Sequence, residues 1–340
     1  MIREIFEKLL AKNNLSLEEA SFLMNEIMSG NVNNSLLAGI LTSMRLKGVT
    51  SKEIAGFVKV MQEKSLKFNG DNSDAIDVCG TGGDNSGTFN ISTAVAFVVA
   101  GAGIKVAKHG NRAISSKSGS ADVLRELGVN ITLPREISEK ALDEVGITFL
   151  FAPQYHPAMK NAATVRKELA IRTIFNMLGP LTNPAGVNKQ MVGAFSNDAA
   201  KLMAHASIHL NFERVCFLCC DDKYDEILLN GTTEIFEYNG NSTIKNYQIT
   251  KETFGYDNVD ISEIKGDTAE TNANIIKDIF NGTNTNGCFT TVTANAALAL
   301  YCAKYSDNIT QCKEAAEKSL TTGAAKNKLD ELIKFCSTNK

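Results

Sequence analysis

The chain has 340 residues, 44% hydrophobic and 21% charged, a composition that supports a large folded core with a smaller domain beside it and excludes a disordered or fibrous chain. A formal net charge of −3 offers no general basic face to nucleic-acid phosphates or an anionic membrane, so any phosphate site must be local. The opening MIREIFEKLLAKNN mixes charge with apolar residues at helical spacing and lacks the unbroken apolar core of an export signal, so a cytoplasmic protein is expected.

The first 68 or so residues read as helices. Ser16-Leu-Glu-Glu19 and Thr50-Ser-Lys-Glu53 match the capping-box pattern, and apolar residues recur at three- and four-residue spacing over 22–28, 36–44 and 54–61. A polar, glycine-containing break at 68–73 reads as a hinge. The expected division is a helical domain over 1–70, with further helical contributions from later segments, and an α/β domain over 71–340. From Ala75 short apolar strands alternate with helices: AIDVCG then 91–102, IKVAKH then 119–127, ITFLFA then 161–169, QMVGAF then 199–210, and RVCFLC. Such alternation predicts an α/β fold with a mostly parallel central sheet. Residues 234–260 look β-rich, and helices return from Thr268. The weakly polar run 94–106 is broken by glycines and is far shorter than the roughly 20 apolar residues of a membrane helix, so it reads as buried core. The eight cysteines are expected to be reduced core thiols, because the Cys216-Phe-Leu-Cys219-Cys220 run has no second ligand pair at zinc spacing.

Three segments and one acidic pair carry chemistry. The strand Ile76-Asp-Val-Cys79 runs into Gly80-Thr-Gly-Gly83-Asp84-Asn-Ser-Gly-Thr88-Phe-Asn90-Ile91-Ser92-Thr93 and then an apolar helix. A glycine-rich turn between a strand and a helix lets backbone N–H groups close on an anion, and this one is neither a Walker A loop nor a dinucleotide turn. The next strand ends in Lys108-His109-Gly110-Asn111-Arg112-Ala113-Ile114-Ser115-Ser116-Lys117-Ser118-Gly119-Ser120. So polar a run at a strand's carboxyl end is either a solvated loop or an anion site, and ligands of open α/β sheets bind at that end. The third segment contains His156, Arg166, Arg172 and Gly179-Pro180. Arg166 and Arg172 sit in apolar helical text, which calls for a carboxylate partner, from a ligand or from a neighbour such as Glu168. Asp225-Glu226 beside a strand end joins Asp84 and Ser92 as hard oxygen ligands of the kind Mg²⁺ prefers. His205 and His209 lack the glutamate of a zinc protease motif and read as an ordinary helix face.

Together GTGGD, NIST, KHGNRAISSKSGSAD, FAPQYHPAMK, VRKEL, RTIFNMLGPLTNP, the Asp225-Glu226 pair and NAALALY give a chain that, over its whole length, resembles the anthranilate phosphoribosyltransferases of tryptophan biosynthesis. The resemblance implies a small helical domain on a larger α/β domain, pairing as a homodimer, and transfer of a phosphoribosyl group from phosphoribosyl pyrophosphate to the amine of anthranilate with Mg²⁺. It implies that phosphoribosyl pyrophosphate is bound by Gly80, Gly83, Asp84, Thr88, Asn90, Ile91, Ser92, Thr93, Lys108, Ser116 and Ser120, within a loop that also contains His109, Gly110, Asn111, Arg112, Ala113, Ile114 and Ser115. Anthranilate would meet Gly80, Asn111 and Arg166, with His109, His156 and Pro180 nearby, and magnesium would be held by Ser92, Asp225 and Glu226. No side chain is assigned as a catalytic acid or base. The chain departs from the family in two places: Cys219-Cys220-Asp221-Asp222-Lys223-Tyr224 replaces a His-Gly pair and a later glycine before the Asp-Glu, and Ala170 replaces a glycine. Two rival readings, a pyrimidine nucleoside phosphorylase and a non-catalytic nucleic-acid-binding relative of the same fold, fit the Asn111-Arg112 and Gly179-Pro180 strings and the acidic charge less well.

Overall fold

A computed structural model of the chain describes residues 1–82, 87–113 and 117–339. Gly83, Asp84, Ile114, Ser115 and Ser116 of the expected site lie outside the described residues.

Four helices open the chain: α1 (Ile2–Leu10), α2 (Leu17–Met28), α3 (Asn34–Lys47) and α4 (Ser51–Glu63). Both capping boxes form. Glu19 N donates to Ser16 Oγ at 3.2 Å and Ser16 N to Glu19 Oε2 at 2.7 Å, while Glu53 N donates to Thr50 Oγ1 at 3.3 Å and Thr50 N to Glu53 Oε2 at 2.8 Å. Glu53 does more than cap. Wholly buried, it also takes Leu15 N at 2.9 Å and Lys47 Nζ at 2.8 Å, tying α3, α4 and the loop before α2 through one carboxylate.

The sheet has seven strands: β1 (Ile76–Gly80), β2 (Val106–Gly110), β3 (Ile147–Phe151), β4 (Lys189–Gly193), β5 (Arg214–Cys220), β6 (Thr233–Tyr238) and β7 (Ile244–Ile249), in the order β3-β2-β1-β4-β5-β6-β7. The first five run parallel and the last two are antiparallel additions. The chain builds outward from β1 to β3, then returns to lay β4 on the other side of β1. That reversal makes the carboxyl ends of β1 and β4 the switch point where open α/β sheets form their crevice. The further helices are α5 (Ile91–Gly101), α6 (Ser120–Glu126), α7 (Arg135–Glu144), α8 (Ala152–Tyr155), α9 (Lys160–Leu169), α10 (Phe175–Leu178), α11 (Asn197–Ser207), α12 (Lys251–Phe254), α13 (Ala269–Phe280), α14 (Gly287–Cys302), α15 (Ile309–Thr321) and α16 (Ala324–Thr338). His209 thus lies beyond α11 and does not share a helix face with His205.

Two large cores cover the two sheet faces. One joins α5, α13, α14, α15 and α16 to Val78, Met191 and Leu218. Helix α5 is apolar on all sides because it is buried on all sides, and Ser319 Oγ of α15 reaches its Val98 carbonyl at 2.8 Å. The other core joins α1 to α4 with α9, α10 and α11 and with Cys79, Val192 and Phe217 of the sheet. The polar break after α4 is pinned: Leu66 N donates to Tyr155 O at 2.8 Å, Phe68 N to Pro184 O at 3.1 Å and Asn69 N to Glu139 Oε1 at 2.7 Å. All eight cysteines are buried free thiols.

Candidate active site

At the switch point Gly80 and Gly193 face each other in register, and neither position tolerates a side chain. A Cβ on Gly80 would lie 2.5 Å from Asp225 Oδ2, and one on Gly193 would lie 1.7 Å from the Asp225 carbonyl. The two glycines therefore make the recess that admits Asp225 over the ends of β1 and β4. Gly82 N donates to Asp225 Oδ2 at 3.3 Å, and Thr88 Oγ1 to Glu226 Oε2 at 2.9 Å, so the acidic pair closes against the turn that precedes α5. Thr81 links the same turn to β4, its N donating to Gly193 O at 2.8 Å and its Oγ1 accepting Phe195 N at 3.1 Å. From behind, buried Asn295 of α14 clamps the next residue, accepting Ile227 N at 3.0 Å and donating to Ile227 O at 2.9 Å.

The loop before the pair keeps a glycine-like path without glycine. Asp221 and Asp222 sit at φ 49° and 53°, a region that Asp tolerates better than most residues because its short side chain bonds locally. Asp221 Oδ1 accepts Thr232 N at 3.0 Å, and Asp222 Oδ1 accepts Asn197 N at 2.7 Å where α11 begins. The other departure, Ala170, is also left-handed, at φ 48° and ψ 28°, where it ends α9. It has no comparable side-chain bond to offer. Both departures thus fall on backbone that glycine adopts freely.

Between β1 and β2 the ladder is short, registered only at Ile76 and Val106. Side chains bond across the rest. Asp77 Oδ1 accepts His109 N at 3.0 Å, Lys108 Nζ donates to Val78 O at 2.5 Å, and Asn183 Nδ2 donates to Ala107 O at 2.8 Å. Burial pushes the Asp77 carboxyl up to about 6 against the opposing pull of Lys108. Burial likewise lowers the Lys108 ammonium, countered by Asp77, Cys79 and Glu226. Lys108 Nζ also reaches Ser92 Oγ at 3.4 Å, which brings the second loop to the first turn of α5. Asn90, just before that helix, accepts Asn272 Nδ2 at 2.8 Å and Ser118 Oγ at 3.3 Å. Asp122 Oδ2 takes Ala113 N at 3.0 Å and Gly119 N at 3.1 Å, closing the loop on itself, and Ser120 and the exposed Asn111 share that closure at 3.4 Å. Arg112 lies 5.5 Å from the Phe151 ring centroid. Ile91 and Thr93 are buried in α5, and the Thr93 hydroxyl has no partner among the described residues.

Beyond β2, buried His109 and His156 stand with ring centroids 5.2 Å apart. Burial first, then His156 and Lys108, pushes His109 down to about 3, against a hydrogen bond with the Gly179 backbone. Burial pushes His156 down to about 4. Both imidazoles are neutral at pH 7, and neither Nε2 has a partner among the described residues. Pro180 is buried beside them, its carbonyl accepting Gln190 Nε2 at 2.9 Å. Arg166 is half-buried and makes no ion pair with the described residues; its guanidinium lies 5.0 Å from the Phe175 ring centroid. Glu168 is exposed and does not pair with it, so the neighbour-pair alternative does not form. Arg172 lies 4.5 Å from the Phe195 ring centroid.

The glycine turn, the Lys108 loop and the Asp225-Glu226 pair therefore meet at the carboxyl ends of β1, β2 and β4, and His156 and the Gly179-Pro180 turn join them through His109. Asp77, Thr81, Asn183 and Gly193, which bond to these segments, and Phe175, which meets Arg166, were not singled out by the motif reading. Only Asp77 carried a local signal, an acid in the middle of an apolar strand.

The sequence matches the glycosyl transferase family a/b domain over residues 72–326 and the glycosyl transferase family helical bundle domain over residues 3–65. An anthranilate phosphoribosyltransferase of Thermoanaerobacter sp. (strain X514) is 43% identical over 335 residues, covering 98% of each chain. The crystal structure of the enzyme of that name from Thermus thermophilus aligns with TM-score 0.91 at 34% identity, over 98% of this chain and 99% of its own. The Saccharomyces cerevisiae enzyme, solved in complex with PRPP and Mg, aligns with TM-score 0.90 at 26% identity, over 99% and 98%.

Proposed function

The chain belongs to the anthranilate phosphoribosyltransferase family, and from that premise we propose that it transfers the phosphoribosyl group of phosphoribosyl pyrophosphate to the amine of anthranilate, with release of pyrophosphate, as a homodimer in tryptophan biosynthesis. The observation that carries the residue assignments is the convergence of the glycine turn, the Lys108 loop and the Asp225-Glu226 pair on one crevice. The dimer reading draws on large apolar side chains exposed on α1 and α3, Leu10 and Leu46.

The donor's phosphates fit the first two segments. Gly80, Gly83, Asp84, Thr88, Asn90, Ile91, Ser92 and Thr93 would line one side, and Lys108 to Ser116 with Ser120 the other. Mg²⁺ suits Ser92, Asp225 and Glu226: all are hard oxygen donors, the glycine recess leaves room for the Asp225 carboxylate, and no group of three His, Cys, Asp or Glu side chains converges among the described residues. So sparse a set matches an ion that takes its remaining ligands from substrate phosphates and water. When bound, the ion neutralises charge on the leaving pyrophosphate. A helix N-terminus contributes only about 0.3–1 kcal/mol to an exposed anion, whereas unit charges about 4 Å apart interact by roughly 4 kcal/mol at an effective dielectric near 20. Charged ligands therefore outweigh the turn before α5.

The acceptor's carboxylate would fit Arg166, and its ring would lie near Gly80, Asn111, Pro180 and the two neutral imidazoles. Its amine is neutral at pH 7 and attacks without first losing a proton, so orientation replaces a dedicated base. Purified protein is expected to quench anthranilate fluorescence only when phosphoribosyl pyrophosphate and Mg²⁺ are both supplied. Full activity in excess EDTA removes the metal assignment, and phosphorolysis of thymidine or uridine at comparable efficiency overturns the transferase reading.

A further inference from the structure

Arg166 raises a physical problem. Its guanidinium is always charged, it is half-buried and partly desolvated, and no described carboxylate pairs with it. What it does have is a ring: its guanidinium carbon lies 5.0 Å from the centroid of Phe175, within the range of a cation–π contact. Phe175 is fixed in turn. It is buried in the short helix α10, and Phe57 of α4, fully buried, meets it with centroids 6.5 Å apart and planes tilted by 60°. One contiguous line of side chains runs from the N-terminal helices through two rings to an unpaired cation.

We propose that Phe175 is a positioning residue of the acceptor pocket: its ring, braced by Phe57, holds the Arg166 guanidinium ready for the carboxylate of the acceptor. The proposal rests on the Arg166 assignment made above and adds the device that aims it. A long arginine stem is costly to order when a ligand arrives, and a planar fork grips a carboxylate in two-point fashion only when correctly turned. A ring contact partly offsets the cation's lost hydration and restricts its rotation while leaving N–H groups free for the ligand. The helical layer thereby contributes to acceptor binding through Phe57.

Steady-state kinetics on the full-length protein test this. Phe175→Leu is expected to raise the anthranilate KM about 2- to 30-fold, the span of an exposed to a desolvated cation–π contact, leaving kcat and the phosphoribosyl pyrophosphate KM unchanged. In an Arg166→Ala background the same substitution is expected to add nothing, because the contact is already gone. Since leucine also alters core packing, a second variant carries pentafluorophenylalanine at position 175, near in size but without the electron-rich face; it is expected to raise the anthranilate KM at unchanged Tm. Equal weakening of both substrates by the fluorinated ring, or full additivity with Arg166→Ala, overturns the proposal. If Arg166→Ala raises the anthranilate KM while both ring variants bind normally, the Phe175 role alone falls. If Arg166→Ala leaves that KM unchanged, the underlying Arg166 assignment falls with it.

Discussion

Two buried carboxylates of the same sheet, Asp77 on β1 and Glu237 three strands away on β6, are treated in opposite ways. Glu237 of β6, near the start of β5, is wholly buried, accepts Tyr247 Oη at 3.1 Å and Tyr301 Oη at 3.2 Å, and pairs ionically with Arg214, whose Nε lies 3.4 Å away. Arg214 is shared further, with the Tyr301 carbonyl at 3.0 Å and Asp307 at 3.2 Å. Asp77 of β1 is just as buried, yet one backbone N–H serves its Oδ1, and its Oδ2 meets no donor at hydrogen-bond geometry among the described residues. Nearby, the Nε2 atoms of His109 and His156 also lack a partner among the described residues. Both Glu237 oxygens thus have a donor within the chain, whereas Asp77 Oδ2 has none among the described residues.

Substitutions at the Glu237 cluster and at the candidate site should fail differently. The largest effect is expected in the Glu237 cluster, where Glu237→Ala leaves Arg214 without its buried partner and should cost about 3–5 kcal/mol of stability in denaturant melts. The KM values of the folded fraction should stay at the parent's level; an altered anthranilate KM would show that the two regions communicate. At the candidate site the order reverses: Asp225→Ala with Glu226→Ala should lower kcat by at least about 10² while the melt moves little. Parent-like turnover in that double variant would make the pair surface decoration.

The imidazoles sharpen the contrast through pH. His156 is pushed down to about 4 in the folded chain from about 6.5 unfolded, so between these values the unfolded state binds the extra proton. Stability from keeping the ring neutral is complete above pH 6.5 and drains away as pH falls toward 4, with a slope of about 1.4 kcal/mol per pH unit for one proton. His109 acts in the same direction down to about 3. Asp77 opposes both, because a carboxyl raised to about 6 keeps its proton in the folded state and favours folding as pH falls through that window. His156→Gln should flatten the stability profile between pH 4 and 6.5 by close to one proton; an unchanged profile would mean that the ring is not buried neutral.

The smallest effect separates the two departures from the family pattern. Ala170→Gly relieves a left-handed alanine and should add about 0.5–1 kcal/mol, read as a higher denaturant midpoint. Asp222→Gly should give no such gain, because it forfeits the bond to Asn197 N. Equal gains from both would show that the aspartate bond contributes nothing.

Much of this was legible in the chain. Capping boxes, strand and helix alternation and the three polar segments depend on neighbours within a few residues, and most of the helices and strands read from that local chemistry formed, although α11 stops at Ser207 short of His209 and α7 (Arg135–Glu144) was not read. The segments of the candidate site were legible for the same reason, since a glycine turn or a run such as KHGNR is chemically conspicuous wherever it folds. Phe175 looked like any core aromatic, and Gly193 and Asn183 like ordinary turn and strand residues. The importance of Gly193 comes from Asp225, 32 positions away, pressing on its backbone, and that of Asn183 from an unpaired carbonyl on β2. The sequence by itself determined which groups were available and which elements carry them. Only the tertiary structure decided that β4 returns beside β1, that β1 and β2 are joined by side chains, and that a ring lies beneath Arg166. Local propensity acts over a few residues, whereas strand order and side-chain packing are settled by the burial of the whole core.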